Sequence, residues 1–357
     1  MNDNMSTLIE EYTRQQTNGS MEYISTKIKW DGSLEDNFKR GLIITFDERC
    51  AICSNYRPYS KRWFYKDGSV INRMYQMPRI YPDNADNMTI CVASIGDKKP
   101  FSCLITNTHT DLHFTGTSQC FPLYWYEDRN EIRRSNKQAS LFEDDRNDLI
   151  RHDGISDYAL SEARKRYGDV VSKQDIFYYI YGYLHSQDYR DAFADDLRLS
   201  LPRIGFVDSK EDFDAFADAG RRLADLHLNY EHAEKCGSVK IDTDVPMEVL
   251  LSDESLLRVT KMKLIPDERK LVYNQHVTIG DIPEDAFRYI VNGRSALGWI
   301  VNQYQYSVDK ESGIVNDPNE YAGPKYIFDL VLSIITVSVE TMRIVDSLPR
   351  LSFEEDD

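Results

Sequence analysis

The stretch SKQDIFYYIYGYL, Ser172–Leu184, marks the point at which this chain becomes helical. Ser172 is followed three residues later by Asp175, a pairing typical of a capping box at a helix N-terminus. The apolar residues that come next are spaced so that they share one helix face, namely Ile176, Phe177, Ile180 and Leu184. This pattern predicts an amphipathic helix within a largely helical half of the protein.

Helical spacing continues through most of the chain after Ile155. A second helix is predicted over Gln187–Leu199, because Pro202 follows it. Ser209 and Asp212 begin a third, whose inner face carries Phe213, Phe216, Gly220, Leu223 and His227. Further helices are predicted at Pro283–Val291, Ser295–Tyr304 and about Pro324–Ser347. Residues 257–280 break this rhythm, and two β-like runs around Pro266-Asp267 predict an inserted hairpin.

The part of the chain before this helical half has a different pattern. Residues 27–126 contain short runs of β-branched and aromatic residues separated by Gly, Asn, Asp and Pro, at Leu42–Phe46, Thr89–Ala93, Phe101–Thr106 and Phe121–Trp125. Residues 127–154 are highly charged and are interpreted as a linker, whereas the polar residues 1–26 are expected to form a helical or loose leader. The expected fold class is therefore α+β, with a β-rich N-terminal subdomain (27–126) followed by a mainly helical region (155–357) that contains the hairpin.

Composition restricts the class of protein. The 357 residues are 41% hydrophobic and 29% charged, as in soluble globular proteins. A formal net charge of −16 repels phosphates and so excludes indiscriminate nucleic-acid binding by the whole surface, but not binding by a local basic patch. The N-terminus lacks the apolar region of a signal peptide, and no apolar run is long enough to span a membrane. Six cysteines in such a chain indicate reduced thiols and a cytoplasmic protein.

The common catalytic motifs are missing from the sequence. It contains no GxxxxGK[ST] phosphate-binding loop, no GxGxxG after a strand and no GxSxG nucleophile elbow. The sequence therefore gives no support to catalysis by these routes.

Three short motifs resemble metal or nuclease sites, and each has a simpler explanation. Cys50-Ala51-Ile52-Cys53 lacks the second close pair that a structural zinc site requires, so its thiols are predicted to be small, half-buried side chains. His109, Asp111 and His113 would share one face of a strand, yet they fit a polar loop equally well. Pro266-Asp267-Glu268-Arg269-Lys270 echoes the PD…(D/E)xK nuclease signature, but its parts overlap in one turn, which favours a charged hairpin turn.

The stretch YRPYSKRWFYKDGSVINRMYQMPRI, Tyr56–Ile80, is basic in an acidic chain and holds six Lys and Arg against one Asp. Lysine and arginine suit phosphate contacts, and arginine, asparagine and glutamine suit base edges. The aromatic residues among them can pack beneath the cations or touch thymine methyls and sugars. Lys66-Asp67-Gly68 is predicted to be the tip of a hairpin. The alternative is a solvated amphipathic hairpin whose aromatic side chains belong to the core.

Several long stretches resemble the C-terminal part of the type ISP restriction–modification enzymes. They are FDERCAICSNYRPYSKRWFY (46–65), RMYQMPRIYP (73–82), PFSCLITNTHTDLHFTGTSQCFPLYWYE (100–127), IFYYIYGYLHSQDYRDAFADDLRLSLPRIGF (176–206), AGRRLADLHLNYE (219–231), VNGRSALGWIVNQYQYSVDKESGIVNDPNEYA (291–322) and ITVSVETMRIVDSLP (335–349). The resemblance runs from about Trp30 to Pro349. Enzymes of this family carry nuclease, helicase-like ATPase, coupler, N6-adenine methyltransferase and target recognition domain in that order.

The resemblance is confined to the last of these parts. The family's Asn-Pro-Pro-Tyr/Phe methyltransferase motif has no counterpart, since Asn316-Asp317-Pro318-Asn319 differs from it. The glycine loop for S-adenosylmethionine and the ATPase motifs are also missing from the sequence. The resemblance thus implies a target recognition domain, with residues 1–26 either a leader or the tail of a preceding methyltransferase region.

The function that this resemblance implies is sequence-specific recognition of double-stranded DNA, with no catalysis, cofactor or metal in the chain itself. The implied partners are double-stranded DNA and an N6-adenine methyltransferase domain in the same or a separate chain. The candidate phosphate contacts are Arg57, Lys61, Arg62, Lys66 and Arg73, and the candidate base contacts are Gln76, Arg79, Asn107 and Gln119. The loop Val308–Asn319 fits a groove-lining loop and a purely structural loop equally well.

Two other functions remain open at this point. The chain could be a protein-interaction or spacer module that docks on a methyltransferase and touches no DNA. Alternatively, it could be a metal-dependent nuclease that uses Asp267, Glu268 and Lys270.

Overall fold

The computed structural model describes residues 2–23, 27–83, 85–129, 149–308, 310 and 315–353. It confirms the α+β class, since small antiparallel sheets dominate the first part and helices the later part. The helices are α1 (Asn2–Asn18), α2 (Gly32–Lys39), α3 (Met77–Ile80), α4 (Asp157–Tyr167), α5 (Lys173–Tyr183), α6 (Gln187–Ala192), α7 (Asp196–Leu199), α8 (Lys210–Leu228), α9 (Met247–Ser252), α10 (Asp285–Arg288), α11 (Ala296–Gln303), α12 (Pro318–Tyr321) and α13 (Pro324–Asp346).

The strands form short antiparallel ladders rather than one large sheet. They are β1 (Ala51–Arg57), β2 (Ser60–Tyr65), β3 (Thr89–Ala93), β4 (Cys103–Thr106), β5 (Ser118–Pro122), β6 (Tyr124–Asp128), β7 (Leu149–Asp153), β8 (Lys240–Thr243), β9 (Lys263–Ile265), β10 (Lys270–Val272), β11 (Val277–Gly280), β12 (Ile290–Val291), β13 (Arg294–Ser295), β14 (Ser307–Val308) and β15 (Val315–Asn316). The order in the three-stranded sheet is β4-β3-β5, and β6 pairs with β7 beside it.

The N-terminal residues build a small core of their own. Helix α1 packs with α2 and the end of β2, burying Ile9, Tyr12, Ile28, Leu34, Ile44 and Tyr65 together. The predicted strand Leu42–Phe46 is an unpaired segment in the structure. Ile44 is its buried residue, whereas Ile43 is 77% exposed. The strand predicted here from the β-branched residues is therefore wrong, since no strand among the described residues pairs with this segment.

The hairpin in the basic stretch differs from the prediction. Strands β1 and β2 turn at Pro58-Tyr59, because Arg57 pairs with Ser60, and not at Lys66-Asp67-Gly68. Tyr59 adopts a left-handed backbone conformation with φ 56°, and its ring is buried. That burial in the core stabilises a turn conformation that a tyrosine rarely adopts. The Asp67 side chain instead accepts hydrogen bonds from the Ser69 backbone and hydroxyl in a turn after β2.

The charged residues 127–154 begin and end in regular structure. Residues Tyr124–Asp128 pair antiparallel with Leu149–Asp153, so both ends of the predicted linker form a two-stranded ribbon. Residues 130–148 lie outside the described residues, and the linker interpretation stays a prediction for them.

The helical half follows its local signals closely. Ser172 and Asp175 form the predicted capping box of α5, and Ser209 caps α8. Helices α5 and α8 cross where Gly182 meets Gly220, whose missing side chains let the two backbones touch. The predicted helix Gln187–Leu199 is two short helices, because α6 ends at Ala192 and α7 begins at Asp196.

Two further predictions in this half need correction. The helix expected over Pro283–Val291 is only Asp285–Arg288, because Ile290–Val291 pairs with Arg294–Ser295 around Asn292-Gly293. Both turn residues have positive φ, at 48° and 73°, as an Asn-Gly hairpin turn requires. The hairpin predicted in residues 257–280 belongs to a larger sheet of four strands, in the order β8-β11-β10-β9.

The β-rich and helical parts share a buried polar centre. The Tyr59 hydroxyl, from the turn between β1 and β2, donates to the Tyr289 hydroxyl at 2.8 Å. The ring of Tyr289 stacks on His227 of α8, whose nitrogens lie 2.7 Å from the Tyr181 hydroxyl and 2.9 Å from that of Thr341. These contacts hold the β1–β2 hairpin against the helices and so set the position of the basic stretch. Among the described residues, no helix is both long enough and apolar enough to span a membrane.

Candidate nucleic-acid interface

The basic stretch is divided by the structure into two parts with different surroundings. Its first part, through Lys66, lies in and just after the β1–β2 hairpin. Its second part lies in an irregular segment that ends in α3. The candidate DNA-contacting residues therefore fall into distinct groups, and the contacts of each group decide what it can do.

Lys61 and Arg62 on β2 reach across to the helical half. The Lys61 ammonium forms an ion pair with Glu231 and lies 5.2 Å from the centre of the Tyr230 ring. The Arg62 guanidinium lies 4.0 Å above the Tyr321 ring and donates to a backbone carbonyl of α11 at 3.3 Å. Both cations thus join the two parts of the protein, and their contact with DNA stays a prediction.

Arg57 and Lys66 are engaged closer to the hairpin. Arg57 forms an ion pair with Asp111 and stacks 4.0 Å from the Tyr56 ring centre. Lys66 Nζ lies 2.6 Å from Asp83 Oδ1, and its side chain is only 17% exposed. These two cations are thus each paired with a carboxylate from another segment of the chain.

Arg73 and Gln76 differ from these four cations in being exposed. Within the described residues, Arg73 has neither an ion-pair partner nor a ring contact, and the Gln76 side chain makes no capping bond at the start of α3. Their guanidinium and amide groups retain hydrogen-bonding capacity for another molecule.

Arg79 lies on α3 and faces the β6–β7 ribbon. Its guanidinium lies 4.8 Å from the Trp125 ring centre, and Nη2 lies 2.8 Å from Glu127 Oε1. His152 of β7 stacks on Trp125 at 4.0 Å, with its Nε2 3.0 Å from Glu127 Oε2. The Arg79 side chain remains 46% exposed, so it is oriented by the ribbon but still accessible.

Asn107 and Gln119 lie toward opposite ends of the three-stranded sheet. Asn107 follows Thr106, which pairs with Thr89 at the start of β3, whereas Gln119 pairs with Val92 near the end of that strand. Three positions along a strand correspond to roughly 10 Å. The Tyr81 hydroxyl, directly after α3, donates to the Thr106 carbonyl at 3.1 Å. Asn107 is therefore at the same end of the sheet as Arg79, and Gln119 is not.

We use the name recognition edge for five exposed side chains, four from the segment that ends in α3 and one from the residue after β4. They are Arg73, Tyr75, Gln76, Arg79 and Asn107. Between residues 69 and 81 the sequence contains no acidic residue. The segment itself therefore adds no carboxylate to the edge, and Glu127 of β6 is the carboxylate that pairs with Arg79.

Tyr81, at the end of the segment that carries this edge, packs in a buried, uncharged cluster with His109. His109 packs 5.4 Å from the Tyr81 ring and 6.3 Å from that of Phe64. Burial, with Lys66 nearby, lowers the pKa of His109 to about 4, so the imidazole is neutral at pH 7. Burial likewise raises the pKa of the Tyr81 phenol well above its usual value. This cluster positions the edge and does not add charge to it.

The side chains of the motifs that resembled metal or nuclease sites are not arranged as such sites. His109 is buried, His113 is exposed, and Asp111 between them binds Arg57. Over the ranges described by the structure, no three His, Cys, Asp or Glu side chains lie close enough to hold a metal ion. In the turn at Pro266–Glu268, Lys270 pairs with Glu268 on the surface, as a charged hairpin turn would.

Sequence reasoning missed the residues that orient Arg79. Trp125 was placed in a strand, but His152 lay in the presumed linker and Glu127 at its start. These residues lie on or opposite the strand Leu149–Asp153 (LIRHD). That run is short and charged, so its sequence gives little indication of a strand.

Comparisons with known proteins agree with this architecture. The family model described as the Type ISP C-terminal specificity domain matches residues 1–330. The ATP-dependent Type ISP restriction-modification enzyme LlaBIII, solved bound to DNA, is 34% identical with a TM-score of 0.80, over 98% of this chain and 22% of that one. A nuclease-deletion mutant of the Type ISP enzyme LlaGI, in complex with a DNA substrate mimic, is 32% identical with a TM-score of 0.78, over 99% of this chain and 31% of that one.

A third structure shares the fold. The cryo-EM structure of a DrdV–DNA complex is 24% identical with a TM-score of 0.80, over 99% of this chain and 34% of that one. The chain thus spans between 22% and 34% of the length of these three structures. No curated protein matches the chain. Because the family model matches residues 1–330 of the 357, the chain belongs to the Type ISP C-terminal specificity domain family.

Proposed function

We propose that this chain recognises a specific sequence in double-stranded DNA and performs no catalysis of its own. The observation that carries the proposal is the recognition edge, where the side chains of Arg73 and Gln76 are exposed and have no hydrogen-bond or ion-pair partner among the described residues. Membership of a specificity-domain family supports it, as do two relatives above 30% identity that were solved with DNA or a DNA mimic.

Each side chain of the edge has a distinct role in this proposal. Arg73 would contact a phosphate, because a freely extended guanidinium suits a backbone oxygen. Gln76, Arg79 and Asn107 would face base edges, where amide and guanidinium groups form bidentate hydrogen bonds. The net charge of −16 makes such a local edge necessary, since the rest of the surface repels the DNA backbone.

The remaining predicted contacts enter the proposal as secondary ones. Arg57, Lys61, Arg62 and Lys66 each have partners within the protein, so a substitution there removes contacts within the protein as well as any phosphate contact. Gln119 lies toward the other end of the sheet and would meet DNA only if the duplex extended that far.

The proposal is tested by measuring binding to labelled duplexes and its dependence on salt. The preferred sequence is first selected from a random duplex library at low salt, and its affinity is then compared with that of a scrambled duplex. Arg73→Ala should weaken binding to both duplexes similarly and make the slope of log K against log salt shallower by roughly 0.9. The matched control is Arg222→Ala, an exposed arginine on α8 without an ion pair among the described residues.

Absence of any duplex binding at low salt, by a chain shown to be folded, would refute the proposal. Catalytic silence is tested separately by incubating the chain with duplex DNA, S-adenosylmethionine, ATP and magnesium. Turnover that a single substitution in this chain abolishes would contradict it.

A second role is favoured by a separate observation. The unpaired segment between α2 and β1 exposes Leu42, Ile43 and Phe46, of which Ile43 is 77% exposed. Such an apolar surface fits docking on a protein, and the partner we propose is the N6-adenine methyltransferase domain implied by the family resemblance. Ile43→Asp should weaken that association in a pull-down and leave duplex binding by the chain itself unchanged.

We also propose a cytoplasmic location, because all six cysteines are free thiols.

A further inference from the structure

Tyr75, in the middle of the recognition edge, combines an unusual backbone with an exposed ring. Its φ is 49°, in the left-handed region that residues with bulky side chains rarely adopt. Its side chain is 65% exposed, so burial of the ring does not offset this strain. Strained backbone that persists without a packing reason is found mainly at sites of function.

The segment around Tyr75 is fixed at both ends by named contacts. On one side, Asn37 donates to the Ser69 carbonyl at 2.8 Å, and the Ser33 hydroxyl donates to the Asn72 side chain at 2.9 Å. These bonds tie the segment to α2.

On the other side, the segment is tied to the end of the three-stranded sheet. Asn87 donates to the Ile80 carbonyl at 2.8 Å, and the Tyr81 hydroxyl donates to Thr89 at 2.8 Å. Ile80 and Tyr81 are each only 5% exposed. Since both ends are held, the Tyr75 ring projects from a rigid base, and little side-chain or loop ordering is left for binding.

The neighbours of Tyr75 identify the kind of molecule that the ring would meet. Arg73 and Gln76 flank it, and Arg79 follows within the same segment, with no carboxylate between residues 69 and 81. An apolar ring among a phosphate-binding cation and base-reading amides suits the groove of a duplex. There the apolar feature of a base edge is the 5-methyl group of thymine.

The other strongly exposed aromatic residues lack this combination. Trp63 is 62% exposed but lies in the regular strand β2. Tyr158 is 76% exposed in the first turn of α4, beside Asp157. Tyr23 is 63% exposed and lies after the end of α1. None of these three residues has positive φ.

We propose that the Tyr75 ring makes a specificity-determining apolar contact with a thymine methyl in the major groove of the recognised duplex. This inference rests on the proposed function and adds to it a residue that selects a base pair without hydrogen bonding. The strained backbone keeps the ring pointed outward before DNA arrives, so the contact requires no rearrangement of the segment.

The test compares Tyr75→Ala, Tyr75→Phe and the control Tyr158→Ala on the duplex selected with the wild-type chain. Each thymine of that duplex is replaced in turn by deoxyuridine, which lacks only the methyl group. Tyr75→Ala should reduce affinity for the selected duplex about 5- to 100-fold, the range of one lost base-pair contact. Tyr75→Phe should stay within about twofold of wild type, because the ring and not the hydroxyl makes the contact.

The decisive measurement is whether the effects on affinity of Tyr75→Ala and of the loss of one thymine methyl depend on each other. At one thymine, replacement by deoxyuridine should weaken wild-type binding and have no further effect on Tyr75→Ala. The melting temperature of Tyr75→Ala should equal or exceed that of wild type, since alanine at this φ is no more strained. If every deoxyuridine duplex binds the wild-type chain as tightly as the thymine duplex does, the methyl contact is refuted.

The outcomes separate this inference from the proposed function on which it rests. Wild-type binding to a selected duplex with no effect of Tyr75→Ala overturns the inference and leaves recognition of DNA intact. Equal loss of affinity on the selected and scrambled duplexes also overturns it, because it would mean that Tyr75 serves general binding. A wild-type chain that binds no duplex overturns the proposed function itself.

Discussion

Replacing Gly220 by alanine should separate the two central helices of the helical half. A Cβ atom at Gly220 would lie 1.9 Å from the Tyr178 carbonyl oxygen and 3.0 Å from the Gly182 backbone nitrogen. Non-bonded carbon and oxygen need about 3.4 Å, and both neighbours are backbone atoms that cannot rotate away. Helices α5 and α8 must therefore move apart by roughly 1.5 Å, which loosens the buried contacts of Phe216 and Leu223.

The expected cost follows from two opposing effects. Overpacking of a well-packed core costs about 1–3 kcal/mol, and a clash with backbone belongs at the upper end of that range. Alanine in a helix interior gains about 1 kcal/mol over glycine. The net loss in the free energy of unfolding should be about 2 kcal/mol.

Urea denaturation followed by circular dichroism would measure this loss. Gly32→Ala is the matched control, because Gly32 begins α2 and an added Cβ meets no atom within 4 Å. That variant should unfold within about 0.5 kcal/mol of wild type. If Gly220→Ala is as stable as Gly32→Ala, the close helix crossing is refuted.

Three further predictions follow from buried side chains and from the division of the basic stretch. Phe216→Ala should lower the free energy of unfolding by about 3–5 kcal/mol in a denaturant melt, because Phe216 is fully buried; a loss below about 1 kcal/mol would contradict this. Burial lowers the pKa of His227 to about 3 from 6.5, so the unfolded chain binds the proton more readily. The contribution of neutral His227 to the free energy of unfolding is therefore fully present above about pH 6.5 and is lost as the pH falls toward 3. The free energy of unfolding should thus decrease less steeply with falling pH in His227→Gln than in the wild type. Equal pH dependence in the two proteins would show that His227 is not the cause. Arg62→Ala should lower the melting temperature, since it removes the stack on Tyr321, whereas Arg73→Ala should not; equal thermal shifts would show that both arginines have the same role.

Helices with complete local signals were predictable from the sequence. Ser172 and Ser209 each cap the helix that their neighbours predict, and the stripe that contains Phe213, Phe216 and Leu223 is buried as expected. Such signals depend on residues within one or two turns of each other, so they are visible without tertiary contacts. The family resemblance was also readable, because it rests on long continuous stretches.

Short strands were less predictable because pairing decides them. Leu42–Phe46 has a β-like composition but no partner strand in the part of the chain that the structure describes, whereas Leu149–Asp153 looks like a linker and pairs with β6. The turn at Pro58-Tyr59 was missed for a similar reason. Its left-handed tyrosine is stabilised by contacts with Tyr230 and Tyr289, which lie far away in the chain.

The sequence by itself determined that a group of cations and aromatic residues exists in an acidic chain, that the second half is helical, and which family the chain resembles. Only the tertiary structure decided which of those cations remain available. Lys61 and Arg62 are engaged by Glu231 and Tyr321, whereas Arg73 is not engaged by any described residue. The physical reason is that a charge is neutralised by whatever lies within a few ångströms of it, and those neighbours come from segments more than a hundred residues away.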